Sequence, residues 1–514
     1  MAADPERPGA RHLIDLIVDE GSFQSWDVPA RAPRHLPESY AAQLAAAQSR
    51  TGMDESVLTG AGRVRGHRVA LLACEFSFLA GSIGVSSAER LVAAIERATA
   101  ARLPLVAAPV SGGTRMQEGT LAFVQMVKIA AAVAEHKAAG LPYLVYLRHP
   151  TTGGVFASWG SQGHVTLAEP GALLGFLGPR VYQGLYDRPF PAGVQVAENL
   201  FEHGLVDAVV EPAELADVLG RALAVLCGDR GRPELPEPAG DTVRPHDATV
   251  WDSVVRSRRA ARPGVLDLLR HAAGELLPLN GTGRGEADPG MLLALARFGR
   301  TPCVLLGQDR HRQIGRPLGP GALRTARRGM RLAGDLDLPL VAVIDTPGAE
   351  LSARAEEGGL AQEIAGCLTD MVTLRSPSLA LLLGQGAGGG ALALLAADRV
   401  VAAQHAWLAP LPPEGASVLV HRTPRRAPEM AGSQGVGAAA LLADGIVDRV
   451  VAELPDATDE PEEFCRRTGA VIREELALLL AKTRPARLRE RRARYRNLGV
   501  AGTPAPAPGG RRQA

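Results

Sequence analysis

The sequence has very little lysine, few aromatic residues and almost no net charge. Only three of its 56 basic residues are lysines, at positions 128, 137 and 482, and we attribute this bias to codon composition rather than to chemistry. Aromatic side chains make up 4% of the 514 residues. Because the formal net charge is +1, no overall field attracts the chain to nucleic acid or to an anionic membrane. Neither is expected as a partner.

Cysteine is also scarce. The five cysteines are widely scattered and form no CxxC pair, which argues against a zinc ribbon, a disulfide framework or any other metal site. This pattern suits a reducing cytoplasm, and the N-terminus shows no signal sequence. One uncharged run, at 378–397, is long enough to resemble a membrane span. Glycines at its centre argue against that interpretation, so we predict a cytoplasmic protein without a membrane segment.

An internal repeat is the main positive feature of the sequence. LPLVAAPVSGG (103–113) matches LPLVAVIDTPG (338–348), and LPYLVYLRHPTTGGV (141–155) matches SPSLALLLGQGAGGG (376–390) in the same register. Further along, LFEHGLVDAVV (200–210) matches LLADGIVDRVV (441–451). Three ordered matches at a nearly constant offset indicate two copies of one fold.

Each copy alternates apolar strands, glycine turns and amphipathic helices, which is typical of parallel βαβ units whose strands are buried on both faces. A segment dense in proline, glycine and charge separates the copies and predicts a linker. The arginine-rich RPARLRERRARYRN (484–497) is expected to be a solvated helix rather than a nucleic-acid site. We therefore predict an α/β protein with domains at 1–227 and 251–500, a linker at 228–250 and a disordered tail at 501–514.

Glycine clusters follow a buried strand in both copies. TTGGV (151–155) and AGGGAL (387–392) each open the next helix, and ligands of parallel α/β folds bind at this end of the sheet. A helix N-terminus offers free backbone N–H groups, and glycine allows close approach. The motifs of phosphate loops lack their required context here. An oxyanion hole, worth about 3–4 kcal/mol per donor, and simple helix–strand packing remain as alternatives.

Several segments resemble a known family. SGGTRMQEG, PTTGGVFASWG, LAEPGALLGFLGPRV and HGLVDAVV resemble the β subunit of the bacterial acetyl-CoA carboxylase carboxyltransferase. IDTPGA, GQGAGGGALALLAADRV and PLPPEGASVLVHR resemble its α subunit. The resemblance extends from about residue 13 to about residue 451. It implies a β–α fusion with two tandem crotonase-like (ClpP/crotonase) domains of repeated ββα units.

The resemblance also implies an activity. A carboxyltransferase of this family moves a carboxyl group from carboxybiotin on a biotin carboxyl carrier protein to an acyl-CoA, after a separate biotin carboxylase has charged the carrier. We expect acetyl-CoA as substrate and malonyl-CoA as product; propionyl-CoA, a longer acyl-CoA, a decarboxylase and an inactive scaffold are the alternatives. The family further implies a homo-oligomer, dimer or hexamer, whose site lies between the first half of one chain and the second half of another.

The same resemblance assigns the catalytic groups to backbone glycines. One glycine pair would hold the enolate oxygen of the thioester and the other the ureido oxygen of biotin, while freed biotin takes the α-proton. The first pair is Gly153 and Gly154. In the second half the repeat register gives Gly388 and Gly389, whereas the family pattern gives Gly389 and Gly390, so all three remain candidates.

The strand ends SGGTR and DTPGA are expected to add substrate-binding residues, namely Gly112, Gly113, Arg115, Gly348 and Ala349. Arg115 is a candidate for a CoA phosphate, with an ion pair to an acid such as Glu118 as the alternative. The zinc ribbon of the family's β subunit is missing from this sequence. The sequence after Ala349 departs from the family's tyrosine–proline continuation, and this departure is expected to alter the acyl pocket. Valine at Gly154 or Gly389 is expected to block catalysis, whereas alanine at Gly386 is expected to be mild.

Overall fold

The computed structural model describes residues 7–30, 37–228 and 248–499. The chain divides into two compact units. Unit 1 contains Met1–Cys227 and Gly283–Glu286, and unit 2 contains Gly228–Thr282 and Ala287–Ala514. The predicted linker lies almost entirely outside the described residues, and the predicted tail lies entirely outside them.

Unit 1 combines eight α-helices with nine strands in its described part. These elements are α1 Ala10–Ile17, β1 Gln24–Ser25, α2 Glu38–Thr51, β2 Val57–Val64, β3 His67–Cys74, α3 Val85–Ala100, β4 Leu105–Ala108, α4 Gly119–Ala138, β5 Tyr143–Leu147, β6 Thr151–Thr152, α5 Gly153–Phe156, β7 Val165–Ala168, β8 Leu174–Gly175, α6 Pro179–Tyr186, α7 Ala197–Glu202, β9 Ala208–Val209 and α8 Leu215–Leu226.

The main sheet of unit 1 has the order β1-β2-β3-β4-β5-β7-β9. Strands β1 to β3 pair antiparallel, and every later pairing in this sheet is parallel. All residues of β4 and β5 are buried, as expected for parallel strands covered on both faces. Helix α3 turns a buried stripe that includes Leu91 and Ile95 toward this core. The predicted parallel βαβ arrangement is confirmed.

Unit 2 contains eleven α-helices and eight strands in its described part. They are α9 Val250–Ser257, α10 Val265–Ala272, β10 Glu275–Leu279, β11 Met291–Phe298, β12 Thr301–Gln308, α11 Pro320–Leu336, β13 Leu340–Thr346, α12 Ala353–Glu357, α13 Leu360–Thr373, β14 Ser378–Ala387, α14 Gly388–Leu395, β15 Arg399–Ala403, β16 Trp407–Ala409, α15 Pro413–His421, α16 Ala427–Ser433, α17 Ala438–Ala443, β17 Arg449–Val451, α18 Pro461–Leu480 and α19 Arg484–Asn497.

The sheet of unit 2 repeats that of unit 1. Its order is β10-β11-β12-β13-β14-β15-β17, with β16 paired to β14. The register repeats as well: Leu105 lies opposite Tyr143 in unit 1, and Leu340 lies opposite Ser378, each 235 residues later, in unit 2. The two halves of the sequence therefore fold into equivalent structures.

The uncharged run at 378–397 is a strand followed by a helix. It forms β14 and then α14, with Gly388 at the junction. Every residue of β14 except Gln385 is buried. Within the ranges that the structure describes, no helix is both long and apolar enough to cross a membrane.

The arginine-rich segment forms α19, and four of its arginines pair with acids of unit 2, among them Arg484 with Asp337 at 3.0 Å. Arg491 bonds both carboxylate oxygens of Asp398 at 2.7 and 2.6 Å. Arg487 lies 3.3 Å from the same carboxylate, and Arg494 pairs with Asp448. Arg487 and Arg491 are buried. These arginines attach the helix to its unit, so the expectation of a simply solvated helix is corrected.

Candidate active site

In each unit a hydroxyl side chain closes the turn at the carboxyl end of a matching strand, β4 in unit 1 and β13 in unit 2. Ser111 Oγ accepts a hydrogen bond from Gly113 N–H at 3.0 Å and donates to Gly113 C=O at 3.2 Å. Thr346 Oγ1 makes the same two bonds with Gly348, both at 3.1 Å. The φ angles of these glycines are +116° and +137°, a region that favours glycine.

The strand-end turn just described forms one wall of each site. The other wall is the start of a helix whose first residue has a positive φ. Gly153 opens α5 with a φ of +61°, and Gly388 opens α14 with a φ of +65°. The same backbone conformation thus recurs at matching positions of the repeat. In this register, Gly154 corresponds to Gly389.

The two walls of each site lie against each other. A Cβ atom built on Gly153 would lie 3.5 Å from Gly113 Cα, and one built on Gly390 would lie 3.7 Å from the backbone nitrogen of Ala349. The structure therefore brings the predicted strand-end residues beside the predicted helix-start glycines within each unit. We call these two arrangements the first nest, in unit 1, and the second nest, in unit 2.

Several of the candidate N–H groups are already hydrogen-bonded inside the protein. Gly112 N–H donates to Ala80 C=O at 2.8 Å, and Gly153 N–H donates to Phe176 C=O at 3.1 Å. The N–H groups of Gly113 and Gly348 bond the turn hydroxyls described above. These residues shape the nests, but their N–H groups are not available to a ligand.

Most of the remaining candidates keep open donors. Within the described ranges, no loop or turn carbonyl accepts a hydrogen bond from the N–H groups of Gly154, Gly389, Gly390 or Ala349, whereas the N–H group of Gly388 continues the pairing of β14 with β16. The first N–H groups of a helix have no intrahelical partner, and here they lie beside the strand-end turn. Each nest can therefore offer backbone donors to an oxygen that carries negative charge.

Packing also explains two of the glycines. A Cβ atom on Gly154 would lie 3.2 Å from Met126 Cγ, and one on Gly389 would lie 2.6 Å from Ile364 Cδ1. Met126 belongs to α4 and Ile364 to α13. Glycine at these positions lets the nest helix approach its neighbour, so valine there disturbs packing and not the nest alone.

Gly386 is not the mild position that the sequence suggested. A Cβ atom on Gly386 would lie 2.7 Å from the carbonyl oxygen of Trp407, where β14 pairs with β16. Alanine there strains the sheet. At Gly390, by contrast, the nearest atom to an added Cβ is the nitrogen of Ala349, so a methyl group fits and occupies the nest.

Arg115 lies inside unit 1 rather than at a ligand-accessible surface. Its buried guanidinium bonds the two carboxylate oxygens of Glu55 at 3.0 and 2.6 Å and lies 3.7 Å from Glu118. Burial by itself lowers the pKa of Arg115, but the hydrogen bond and charge of Glu55 outweigh it and raise that pKa. The expectation that Arg115 reaches a CoA phosphate is corrected, because this side chain forms a buried ion pair.

Behind the second nest lies a buried carboxylate that sequence reasoning missed. Asp345, at the end of β13, has no exposed surface. Its Oδ1 accepts from Gln385 N–H at 2.9 Å, and its Oδ2 lies 3.4 Å from Arg310. Burial raises the pKa of Asp345 against the opposing charge of Arg310. One sequence signal could have found Asp345: the matching position in the first copy of the repeat is Val110, so an acid stands where the other copy has an apolar residue.

Unit 1 also contains an open cavity of about 1240 Å³ that reaches Ala80. Since Ala80 C=O accepts from Gly112 N–H, the cavity ends beside the first nest. Its ionisable lining residues are Arg11, His12, Asp15, Arg50, Asp54 and Glu75. Basic and acidic groups are equally represented, so charge alone does not mark the cavity as a phosphate site.

In the part of the chain that the structure describes, no group of three His, Cys, Asp or Glu side chains could hold a metal ion.

Comparison with known sequences identifies relatives over almost the whole chain. The carboxyl transferase domain model matches residues 7–492. The chain is 60% identical to the probable biotin-dependent acyl-coenzyme A carboxylase beta3 subunit of Mycobacterium tuberculosis over 491 residues, which cover 95% of this chain and 98% of that protein. It is 36% identical to the acetyl-coenzyme A carboxylase carboxyl transferase subunits beta/alpha of Parafrankia sp. over 537 residues, 97% of this chain and 87% of that one.

A solved structure shares the architecture. Transcarboxylase 12S, whose crystal structure is of a hexamer assembly with methylmalonyl-coenzyme A and methylmalonic acid bound, matches with a TM-score of 0.74 and 21% identity. The match covers 93% of this chain and 91% of that chain. The predicted fold class, two tandem crotonase-like α/β domains, is confirmed.

Proposed function

The chain belongs to the carboxyl transferase family, as the carboxyltransferase component of a biotin-dependent acyl-CoA carboxylase, and from this premise we propose that its acyl acceptor is acetyl-CoA and its product malonyl-CoA. Carboxybiotin on a separate carrier protein would be the second substrate, charged by a separate biotin carboxylase. The observation that carries the proposal is the pair of nests, equivalent in the repeat and both with open backbone donors.

The nests fit a reaction in which negative charge develops on two oxygens. In the proposed transfer, the bond between the carboxyl group and the ureido nitrogen of biotin breaks, and that nitrogen takes the α-proton of the acyl-CoA. The resulting enolate carbon then forms a bond to the released carbon dioxide. Backbone donors of one nest would stabilise the enolate oxygen and those of the other the ureido oxygen. Gly154, Gly389, Gly390 and Ala349 are the proposed donors.

The side chains beside the nests agree with a reaction in which biotin, rather than the protein, accepts the α-proton. The side chains nearest to Cβ positions at Gly154 and Gly389 belong to Met126, Thr114 and Ile364. None of these groups is a general base at neutral pH. The proton is therefore proposed to pass to the second substrate rather than to the protein.

The choice of acetyl-CoA is supported by relatives at 36% identity that carry acetyl-coenzyme A carboxylase in their names. The relative at 60% identity is named only as an acyl-coenzyme A carboxylase. Propionyl-CoA and longer acyl-CoAs therefore remain the alternative acceptors, and the altered sequence after Ala349 is where their pocket would differ.

We expect the purified protein to decarboxylate malonyl-CoA in the presence of free biotin, and to lose this activity when avidin removes the biotin. The reason is that the nests can stabilise the enolate left by loss of the carboxyl group but offer no side-chain acid to protonate it, so the ureido N–H of biotin supplies the proton and its nitrogen takes up the carboxyl group. The measurement compares rates on malonyl-, methylmalonyl- and longer carboxyacyl-CoAs. Fast decarboxylation without biotin would contradict the proposed role of biotin, and a faster rate on methylmalonyl-CoA would reassign the substrate to propionyl-CoA. A folded protein inactive on every substrate would indicate a scaffold.

An exposed apolar face on unit 1 supports the proposal of a homo-oligomer. On α4, Leu121, Phe123 and Val127 are 62%, 63% and 68% exposed. Contiguous exposed apolar side chains mark protein–protein contacts in soluble proteins, and obligate interfaces bury upwards of about 2,000 Å². We propose that a second copy of this chain covers the face, as a dimer or hexamer.

Glutamate at Phe123 or Val127 is expected to dissociate this oligomer, because a charge would be buried without a partner. Analytical ultracentrifugation measures the change in assembly, and decarboxylation assays follow activity. Ala45→Glu, an added charge at an exposed position of α2, serves as the control and is expected to leave the assembly intact. A fully active monomer in the unmodified protein would refute the proposal.

A further inference from the structure

One buried side chain connects both walls of the second nest. Gln308, the last residue of β12, has no exposed surface. Its Nε2 donates to Gly390 C=O at 2.7 Å, and its Oε1 accepts from Asp345 N–H at 3.1 Å. Gly390 belongs to the helix start, and Asp345 directly precedes the turn closed by Thr346. Only this orientation of the carboxamide satisfies both partners, since one offers an acceptor and the other a donor.

The first nest has a connection at one wall only. In the sheet register Gly307 matches Ala73, so Gln308 corresponds to Cys74, whose thiol is hydrogen-bonded to Val110 N–H. A thiol is too short to extend from there to the helix. At the position matching Gly390, Val155 C=O accepts from the backbone N–H of Ser158 at 3.3 Å. The double connection therefore distinguishes the second nest from the first.

We propose that Gln308 is a positioning residue for carboxyl transfer, which holds the Gly389 and Gly390 N–H groups at a fixed distance from the Ala349 N–H. This proposal rests on the proposed function, because it concerns the same nest. Gln308 does not touch the substrate. Donors stabilise an oxyanion only when they are held in place before the reaction, and small displacements of reacting or stabilising groups cost large factors in rate.

Burial and double bonding make the connection rigid. A buried amide that loses one partner leaves a polar group unpaired, so the side chain resists displacement from either wall. Movement of the α14 start would break the bond to Gly390, and movement of the β13 end would break the bond to Asp345. Gln308 thus couples the positions of both sets of donors.

The surroundings of Gln308 make a glutamate at this position a titratable probe. The charged or titratable groups nearby are Asp309, Arg310, His311 and Asp345, together with Arg262, which is paired with Glu453. Arg310 already faces Asp345 and Arg262 already faces Glu453, so an added carboxylate has no cation of its own. Burial raises the pKa of such a carboxyl group.

The test compares Gln308→Glu and Gln308→Leu with the unmodified protein in the biotin-dependent decarboxylation assay. At about pH 9 both variants are expected to lose at least about 10-fold in kcat, with the KM for the carboxyacyl-CoA changed by less than about twofold. Toward about pH 6 Gln308→Glu should recover relative to the unmodified protein, because a protonated carboxyl group can donate to Gly390 C=O and accept from Asp345 N–H. Gln308→Leu should stay low at every pH.

Gln434→Glu, at an exposed position of unit 2, is the matched control and should match the unmodified protein throughout. Hydrogen exchange of the peptide spanning 386–395 gives a readout that does not depend on activity, and Gln308→Leu should accelerate it. Normal kcat in Gln308→Leu, a flat pH ratio in Gln308→Glu or unchanged exchange would overturn the proposal. An inactive unmodified protein with the expected exchange change would instead refute the proposed function.

Discussion

Replacing Gly390 by alanine is expected to lower kcat at least about 100-fold while the protein stays folded. The methyl group would lie 3.7 Å from the Ala349 nitrogen, in the space where we propose that the substrate oxygen meets its donors. Loss of one oxyanion-hole donor costs about this factor in comparable enzymes. Alanine is also a better helix former than glycine, so the start of α14 should not be destabilised.

Decarboxylation kinetics beside thermal melts measure this effect. Gly432→Ala is the matched control, because Gly432 is an exposed glycine of α16 with no atom within 4 Å of an added Cβ, and its kcat should be unchanged. Valine at Gly154 or Gly389 should also abolish activity, but contacts with Met126 and Ile364 predict a simultaneous loss of stability. A folded and fully active Gly390→Ala variant would show that the second nest does not hold the reacting oxygen.

Removing the Arg115 guanidinium is expected to destabilise unit 1 by about 3–5 kcal/mol, since Glu55 would be left as a buried charge without a partner. Both side chains are almost fully buried, at 0% and 3% exposure. The measurement is denaturant unfolding of Arg115→Ala. The KM for acyl-CoA of the remaining folded protein should be close to normal, because Arg115 does not reach a ligand.

Two variants make this second prediction sharper. Arg115→Met combined with Glu55→Leu and Glu118→Gln should recover most of the lost stability, because uncharged residues can replace a buried ion-pair cluster at little cost and Glu118 also lies 3.7 Å from Arg115. Lys128→Ala, which removes an exposed ion pair with Glu89, should cost less than about 1 kcal/mol. A stable Arg115→Ala protein with a strongly raised KM would restore the phosphate-binding interpretation.

The local sequence pattern was sufficient to predict those strands and turns whose conformation depends on the residues of one short segment. Continuous apolar runs predicted β4, β5, β13 and β14, because strands of a parallel sheet are buried on both faces. The repeat predicted that both halves would fold alike, and the register of β4 on β5 and of β13 on β14 agrees. The sequence itself also located the glycine clusters at 151–155 and 387–392, since positive φ and close approach require glycine.

Only the tertiary structure decided what surrounds each of these residues. The sequence left Arg115 open between a phosphate ligand and an ion pair with an acid such as Glu118, and the fold pairs it in the core with Glu55, 60 positions earlier. Gly386 and Gly390 belong to the same glycine-rich segment, and the sequence does not distinguish them. In the structure, a Cβ atom on Gly386 would face the carbonyl of Trp407, and one on Gly390 would face the nitrogen of Ala349. Gln308 gave no signal, because its two partners lie in other strands and helices. Contacts between segments distant in sequence depend on how the sheet brings the strands together, and no local pattern records that.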